Sequence, residues 1–261
     1  MLLKGKCAVV YGAGGAIGAA VAKAFAAEGA RVALTGRRVE PLEPVLAEIR
    51  RAGGHAEVAV VDAYDEQGVE EHLRRLVDET GHVDISFNAI GLGYVIGESL
   101  TDATLDDFVT SIEAAMRTQF VTAIAAGRRM ARAGSGVILA IVASPARVPM
   151  PNQGTLSVVG AAIAAFCGQL AVDLGPQGVR VICLCSAGSP DAPGVDYAMT
   201  LSAESAGMSR QAFEDQYAER SALRRLPRLA EVGAAAALAA SDHASAVTAT
   251  VLNVTCGQIL D

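Results

Sequence analysis

The first eighty residues alternate short β-branched runs with stretches of helical period: strands at 7–11, 31–35 and 56–61, helices at 16–28, 40–51 and 66–80. Strands separated by helices cannot pair as hairpins, because each helix carries the chain back to the start of the sheet; they must run parallel. The strand runs AVVY, VALT and VAVV are apolar at every position, not at alternate ones. Such strands need helices on both faces, which is the doubly wound arrangement. The remainder continues the pattern, with strands at 84–88, 137–142, 179–184 and 251–254. Helices fall at 105–132, 155–174, 210–220 and 231–240, the first opened by Thr104 and Asp107 in cap spacing. No repeat or linker interrupts it, so 1–261 reads as a single α/β domain built on a doubly wound parallel sheet.

One segment does not fit. Residues 186–207 are rich in Ser, Gly, Pro and Asp and read as irregular chain following the end of a strand. Loops that long are binding loops or lids, so a substrate lid is expected near 186–220.

Composition narrows the partners. With 52% hydrophobic and 19% charged residues the chain has ample material for a core. Its 21 Lys and Arg against 28 Asp and Glu give a net charge of −7, and the basic residues are scattered. That leaves no footprint for nucleic acid or an anionic membrane. The five cysteines, Cys7, Cys167, Cys183, Cys185 and Cys256, form no C-x-x-C pair and read as reduced core residues. The histidines His55, His72, His82 and His243 read as surface residues, and no metal-ligand cluster is expected. Met1 to Lys6 offers no signal-peptide core, and the apolar helix at 155–174 carries Gln169 and Asp173. The expected location is the cytoplasm.

Between the first strand and first helix stands Gly12-Ala13-Gly14-Gly15-Ala16-Ile17-Gly18. Glycines there can serve a ligand-free tight turn, or let backbone N–H groups hold a pyrophosphate; the place in the sheet favours the ligand. The spacing is G-x-x-x-A-x-G, with Ile17 where G-x-G-x-x-G would need its last glycine. An acid at the end of the second strand would accept from a ribose 2′-OH, but the chain reads Thr35-Gly36-Arg37-Arg38. Two guanidinium groups suit a 2′-phosphate, which favours NADP(H) over NAD(H); the plainer reading is a solvated pair. Asp62, closing the third strand, stands where a carboxylate would meet an adenine amino group. Asn88-Ala89-Ile90-Gly91 closes the fourth strand beside the ribose; Asp62 or Asn88 equally suits a turn or helix cap.

These residues, with Asn253-Val254-Thr255-Cys256-Gly257, resemble the classical short-chain dehydrogenase/reductase family over essentially the whole chain. The resemblance implies a seven-stranded Rossmann-like subunit, a nicotinamide cofactor, a small-molecule substrate, and homodimers or homotetramers paired through the two long central helices. It also implies an Asn-Ser-Tyr-Lys tetrad, with Tyr thirteen residues after Ser and Lys four after Tyr. Counting from the fifth strand puts Ala143 at the Ser position, Leu156 at Tyr, Gly160 at Lys and Ala115 at Asn. No Tyr lies between 95 and 196 and no Lys follows Lys23, so a small shift of register restores nothing.

Loss of a positioned acid costs about 10² to 10⁴ in rate but leaves hydride transfer by proximity and orientation available. The expected activity is therefore NADPH-dependent reduction of a carbonyl, enone or imine, with a non-standard or substrate-derived proton. Ser144 and Tyr94 lead as donors, ahead of Ser157, Asn152 and Gln153; each also reads as a loop group bonded to nearby backbone. Arg147, Asp191 and Tyr197 lie on loops bordering the same cleft. Two competing readings stand: a non-catalytic cofactor-binding or scaffold subunit, and a fold redeployed as a cyclase or isomerase.

Overall fold

The computed structural model describes residues 1–91 and 94–260. Seven strands form one parallel sheet in the order β3-β2-β1-β4-β5-β6-β7. They are β1 (Cys7–Tyr11), β2 (Arg31–Gly36), β3 (His55–Val60), β4 (Ile85–Asn88), β5 (Gly136–Ala143), β6 (Val179–Ser186) and β7 (Thr250–Val254). The helices are α1 (Ala16–Ala27), α2 (Glu43–Arg51), α3 (Glu66–Thr80), α4 (Leu105–Ala133), α5 (Leu156–Leu174), α6 (Pro193–Ser205), α7 (Arg210–Glu219) and α8 (Leu229–Ala240). The order reverses between β1 and β4, so the carboxyl ends of these strands border the crevice in which doubly wound sheets take their ligands.

The largely apolar strands fill both faces. Val9, Tyr11, Ala140, Val142, Cys183 and Cys185 pack under α3, α4 and α5. Ala8, Val10, Leu139, Ile182 and Leu184 pack on the opposite side under α1, α2 and α8. Helix α5 is long and apolar enough, by length and composition, to cross a membrane. Here it lies against β5, β6 and α4 and buries Val159, Gly160, Ile163, Cys167 and Leu170.

Three expectations change. The segment taken as irregular contains α6, started by Pro193 at its first turn and anchored by buried Met199, Ser202 and Ala203. Pro suits a first helical turn because its missing N–H has no intrahelical acceptor there. Strand β6 runs to Ser186, two residues beyond the expected end, because β7 continues to pair with it there. His72 is buried, not at the surface: with Val69, Leu73 and Leu76 it completes the inward stripe of α3. Burial holds its imidazole below the usual histidine range.

Candidate active site

The glycine turn leaves β1 under tight steric control. Gly12 has φ of 75°, and a β-carbon on Gly18 would fall 2.3 Å from the Gly12 carbonyl oxygen. Gly12 and Ala13 both donate their N–H to Thr35 O at 3.1 Å, tying the turn to the end of β2. The N-cap of α1 is Gly15, which has no side chain to satisfy the first N–H groups, and the first turn holds no acid. That helix end is open to an anion. The loop after β2 folds against it, since a β-carbon on Gly14 would sit 2.6 Å from that of Pro41. Arg37 and Arg38 on this loop are exposed and have no ion-pair partner among the described residues. The turn and the uncapped helix end fit the pyrophosphate of a dinucleotide.

Asp62 is exposed and accepts the Tyr64 N–H at 3.0 Å with Oδ1. Asn88 is buried, and its amide is committed to the fold: Nδ2 donates to Thr118 O at 3.2 Å and to Thr122 Oγ1 at 3.0 Å. Its Oδ1 accepts the Ile90 N–H at 3.0 Å. The side chain thus holds the end of β4 to α4. Gly91 is exposed, with open space where a β-carbon would stand.

At the positions counted for the tetrad, Ala143 ends β5 and Leu156 begins α5, both half-buried. Ala115 is fully buried within α4. Gly160 is packed so closely that a β-carbon there would lie 2.6 Å from that of Ala146.

Of the two leading donors, Tyr94 lies in the segment after β4. Its neighbour Val95 accepts the Thr155 N–H at 3.2 Å and donates its own N–H to Thr155 Oγ1 at 3.2 Å. This clasp ties the segment after Tyr94 to the residue preceding α5. The phenol is half-buried, and desolvation pushes it up to about 12, so it is a neutral hydrogen-bond donor at pH 7. Ser144 is placed differently. It is buried, and its hydroxyl is 2.8 Å from that of Tyr217 on α7. Burial raises the Tyr217 phenol.

The other named polar groups serve the fold around the cleft. Asn152 Nδ2 donates to Ser205 Oγ at 2.6 Å and Gln153 Nε2 to Ser202 Oγ at 3.3 Å, holding α6 against the approach to α5. Asp191 accepts the Leu229 N–H at 3.1 Å with either carboxylate oxygen, at the amino end of α8. Ser157 is half-buried, and Arg147 and Tyr197 are exposed. Grooves of about 380 and 320 Å³ sharing Arg31 and His55 open at the opposite, amino-terminal edge of the sheet and take no part in this site.

Two residues at this end escaped the sequence reading. Tyr217 meets Ser144 across 73 positions of chain, beyond any local signal. Ser186 is 5% exposed with an unpartnered hydroxyl, and it stands in register with Ala143. Extending the apolar run of β6 by two residues would have found it.

Comparison with known proteins gives the class. A family model described as enoyl-(acyl carrier protein) reductase matches residues 12–258. Short-chain reductase protein NovJ of Streptomyces niveus is 31% identical over 96% of this chain and 93% of its own length. 7alpha-hydroxysteroid dehydrogenase of Escherichia coli K12 is 28% identical over 98% of this chain and 95% of its own. The crystal structure of an NAD+-bound xylitol dehydrogenase superposes with a TM-score of 0.91 at 25% identity, covering 98% of this chain and all of that one. The chain belongs to the short-chain dehydrogenase/reductase family. A nicotinamide dinucleotide is accordingly its class of cofactor.

Proposed function

We propose that the protein is an NADPH-dependent reductase of a small molecule carrying a carbonyl, enone or imine, and that it works without the family's Asn-Ser-Tyr-Lys set. The observation that carries this reading is the uncapped amino end of α1 beside a loop bearing two unpaired arginines. In it, the N–H groups of Gly14, Ala16, Ile17 and Gly18 would hold the pyrophosphate, with Gly15 shaping the turn through its N–H bond to Gly12 O at 3.0 Å, and Arg37 and Arg38 would hold the 2′-phosphate. Asp62 would accept from the adenine amino group, and Asn88 and Gly91 would serve the ribose. When bound, the reduced nicotinamide supplies the hydride.

The chain's own contribution is orientation and a hydrogen bond to the substrate. In this reading Tyr94 donates to the substrate oxygen or nitrogen; Ser144 is the lesser candidate because Tyr217 already occupies it. A phenol raised by burial is a weak acid, so the substrates best served need little proton transfer in the hydride step, as an iminium or enone does. Helices α6 and α7 form the lid over the cleft. The family's pairing through the two long helices makes a homodimer or homotetramer through α4 and α5 the expected assembly, and the cytoplasm the expected location.

A specific observation favours the second reading, a cofactor-binding subunit without turnover. Ser144, Thr155, Ser111 and Asn88 all spend their side chains on holding the fold. Equilibrium titration with NADPH and NADH, following nicotinamide emission in a chain with no tryptophan, is the first test. Tight NADPH and weak NADH binding is expected; failure to bind either nucleotide overturns the proposal, and NADPH binding with no reduction of any carbonyl, enone or imine selects the second reading.

A further inference from the structure

We infer that Ser186 donates the hydrogen bond to the substrate oxygen that a serine at position 143 would give, an inference that rests on the reductase reading above. Counting along the chain finds Ala143 at that position. The sheet finds a serine beside it: β5 and β6 are parallel, with Ala143 and Ser186 as direct register partners. Neighbouring strands lie about 4.8 Å apart, and register partners in a parallel pair present their side chains to the same face. Alternation along each strand agrees, since Leu139 on β5 and Ile182 and Leu184 on β6 share the face that packs under α1 and α8. Ser186 and Ala143 therefore occupy the last step of that face, level with the open end of the crevice.

The hydroxyl itself is the second observation. Ser186 Oγ is buried and has no hydrogen-bond partner among the described residues, whereas Thr35 in β2, Ser144 just beyond β5 and Thr155 just before α5 all have one. A buried hydroxyl without a partner costs about 1–3 kcal/mol, so its retention beside a ligand crevice points to a ligand atom as the missing acceptor.

The chemistry follows from where charge develops. Bound NADPH would supply the hydride and be left as NADP+; as the carbonyl carbon takes it, or the β-carbon of an enone whose C=C π pair shifts to the Cα–C(O) bond, the C=O π electrons would move to oxygen. The resulting alkoxide or enolate then forms its O–H, or the enolate its α C–H, with a proton from Tyr94 replaced from water. Ser186 keeps its own proton throughout and stabilises the oxyanion as a fixed donor.

The test compares the wild-type protein with Ser186→Ala and Ser186→Thr, using 2-cyclohexenone and cyclohexanone as probes. NADPH affinity, read by nicotinamide emission, is expected to stay within about twofold in both variants, because the hydroxyl serves the substrate. With Ser186→Ala, kcat is expected to fall by about 10²-fold, the effect of removing one oxyanion donor, and Ser186→Thr is expected to restore most of it. The carbonyl stretch of 2-cyclohexenone in the complex with NADP+ is expected at lower frequency with Ser186 than with Ala. Thermal unfolding checks that neither variant is misfolded. An unchanged kcat and carbonyl stretch in Ser186→Ala overturn the inference, as does a matching loss of NADPH affinity, which would assign the hydroxyl to the cofactor. A wild-type protein that binds NADPH and reduces neither probe overturns it too, while leaving the cofactor site standing. Absence of NADPH binding instead removes the reductase reading itself.

Discussion

Gly160 and Ala146 are packed so that a β-carbon on the glycine would stand 2.6 Å from the alanine methyl. The position at which the family's lysine is counted is thus filled by the turn after β5. Installing Leu156→Tyr with Gly160→Lys is expected to destabilise the protein by about 1–3 kcal/mol through overpacking, without creating ordinary ketone reduction. Urea unfolding and an NADPH-consumption assay check both halves; a stable double variant that reduces ketones would refute them.

Arg37 and Arg38 carry the proposed selectivity for the 2′-phosphate. Each charge-assisted contact is worth about 1.5–3 kcal/mol, so replacing both with Ala should weaken NADPH binding by roughly 10² or more. NADH affinity should hardly move. Parallel titrations decide, and equal losses for both nucleotides would contradict the assignment.

Tyr94→Phe retains the ring that packs on the core beneath α4 and removes the donor. The expected result is a fall in kcat of about 10²-fold for a ketone and a much smaller fall for an iminium, which carries its own proton. Steady-state kinetics on the two substrate types distinguishes a donor from a packing residue, since packing alone would affect both alike.

Ser144 and Tyr217 share one hydrogen bond of 2.8 Å, and both are buried. Tyr217→Phe strands the serine hydroxyl and should cost about 1–2 kcal/mol, whereas adding Ser144→Ala should recover part of that loss. Chemical denaturation of the single and double variants measures the coupling.

Glu231 accepts from Arg225 at 2.7 Å and from the Arg228 N–H at 2.8 Å, and these bonds lower its carboxyl to about 2. A carboxylate depressed in the folded state adds stability that is complete above its unfolded value near 4.5 and is lost as pH falls towards about 2. The pair is 46% and 42% exposed, so the contribution is under about 1 kcal/mol after solvent screening. Glu231→Gln should lower stability at pH 7 and leave it unchanged near pH 2, as thermal melts at the two values would show.

The fold was legible because most strands carry continuous apolar runs and α2, α3 and α4 each carry an apolar stripe, so the period of the chain dictates its layers. Helix α6 was not, since Ser, Gly, Pro and Asp around Pro193 resemble loop chemistry until Met199 and Ala203 find a surface to bury against. The glycine turn and Arg37–Arg38 are local signals and could be read directly. Ser186 was within reach of an apolar run of β6 extended by two residues, but its pairing with Ala143 was not, because register between β5 and β6 is set by packing that the intervening residues do not announce. Tyr217 was hidden for the same reason. His72 could have been placed, for it falls on the i, i+3, i+4 stripe of α3 with Val69 and Leu73.

The reversal of strand order between β1 and β4 also governs how the chain assembles. Ala8 pairs with Ile85, 77 positions later, so one edge of β1 stays open until β4 has been made. At a synthesis rate of about 5–20 residues per second that interval is roughly 4–15 seconds, during which the glycine turn hangs from an incomplete ladder. A nascent chain stalled before Phe87 would expose the most apolar strand edge of the nucleotide half and would be a ready client for a chaperone, whereas one released beyond Asn88 can close its central pair at once.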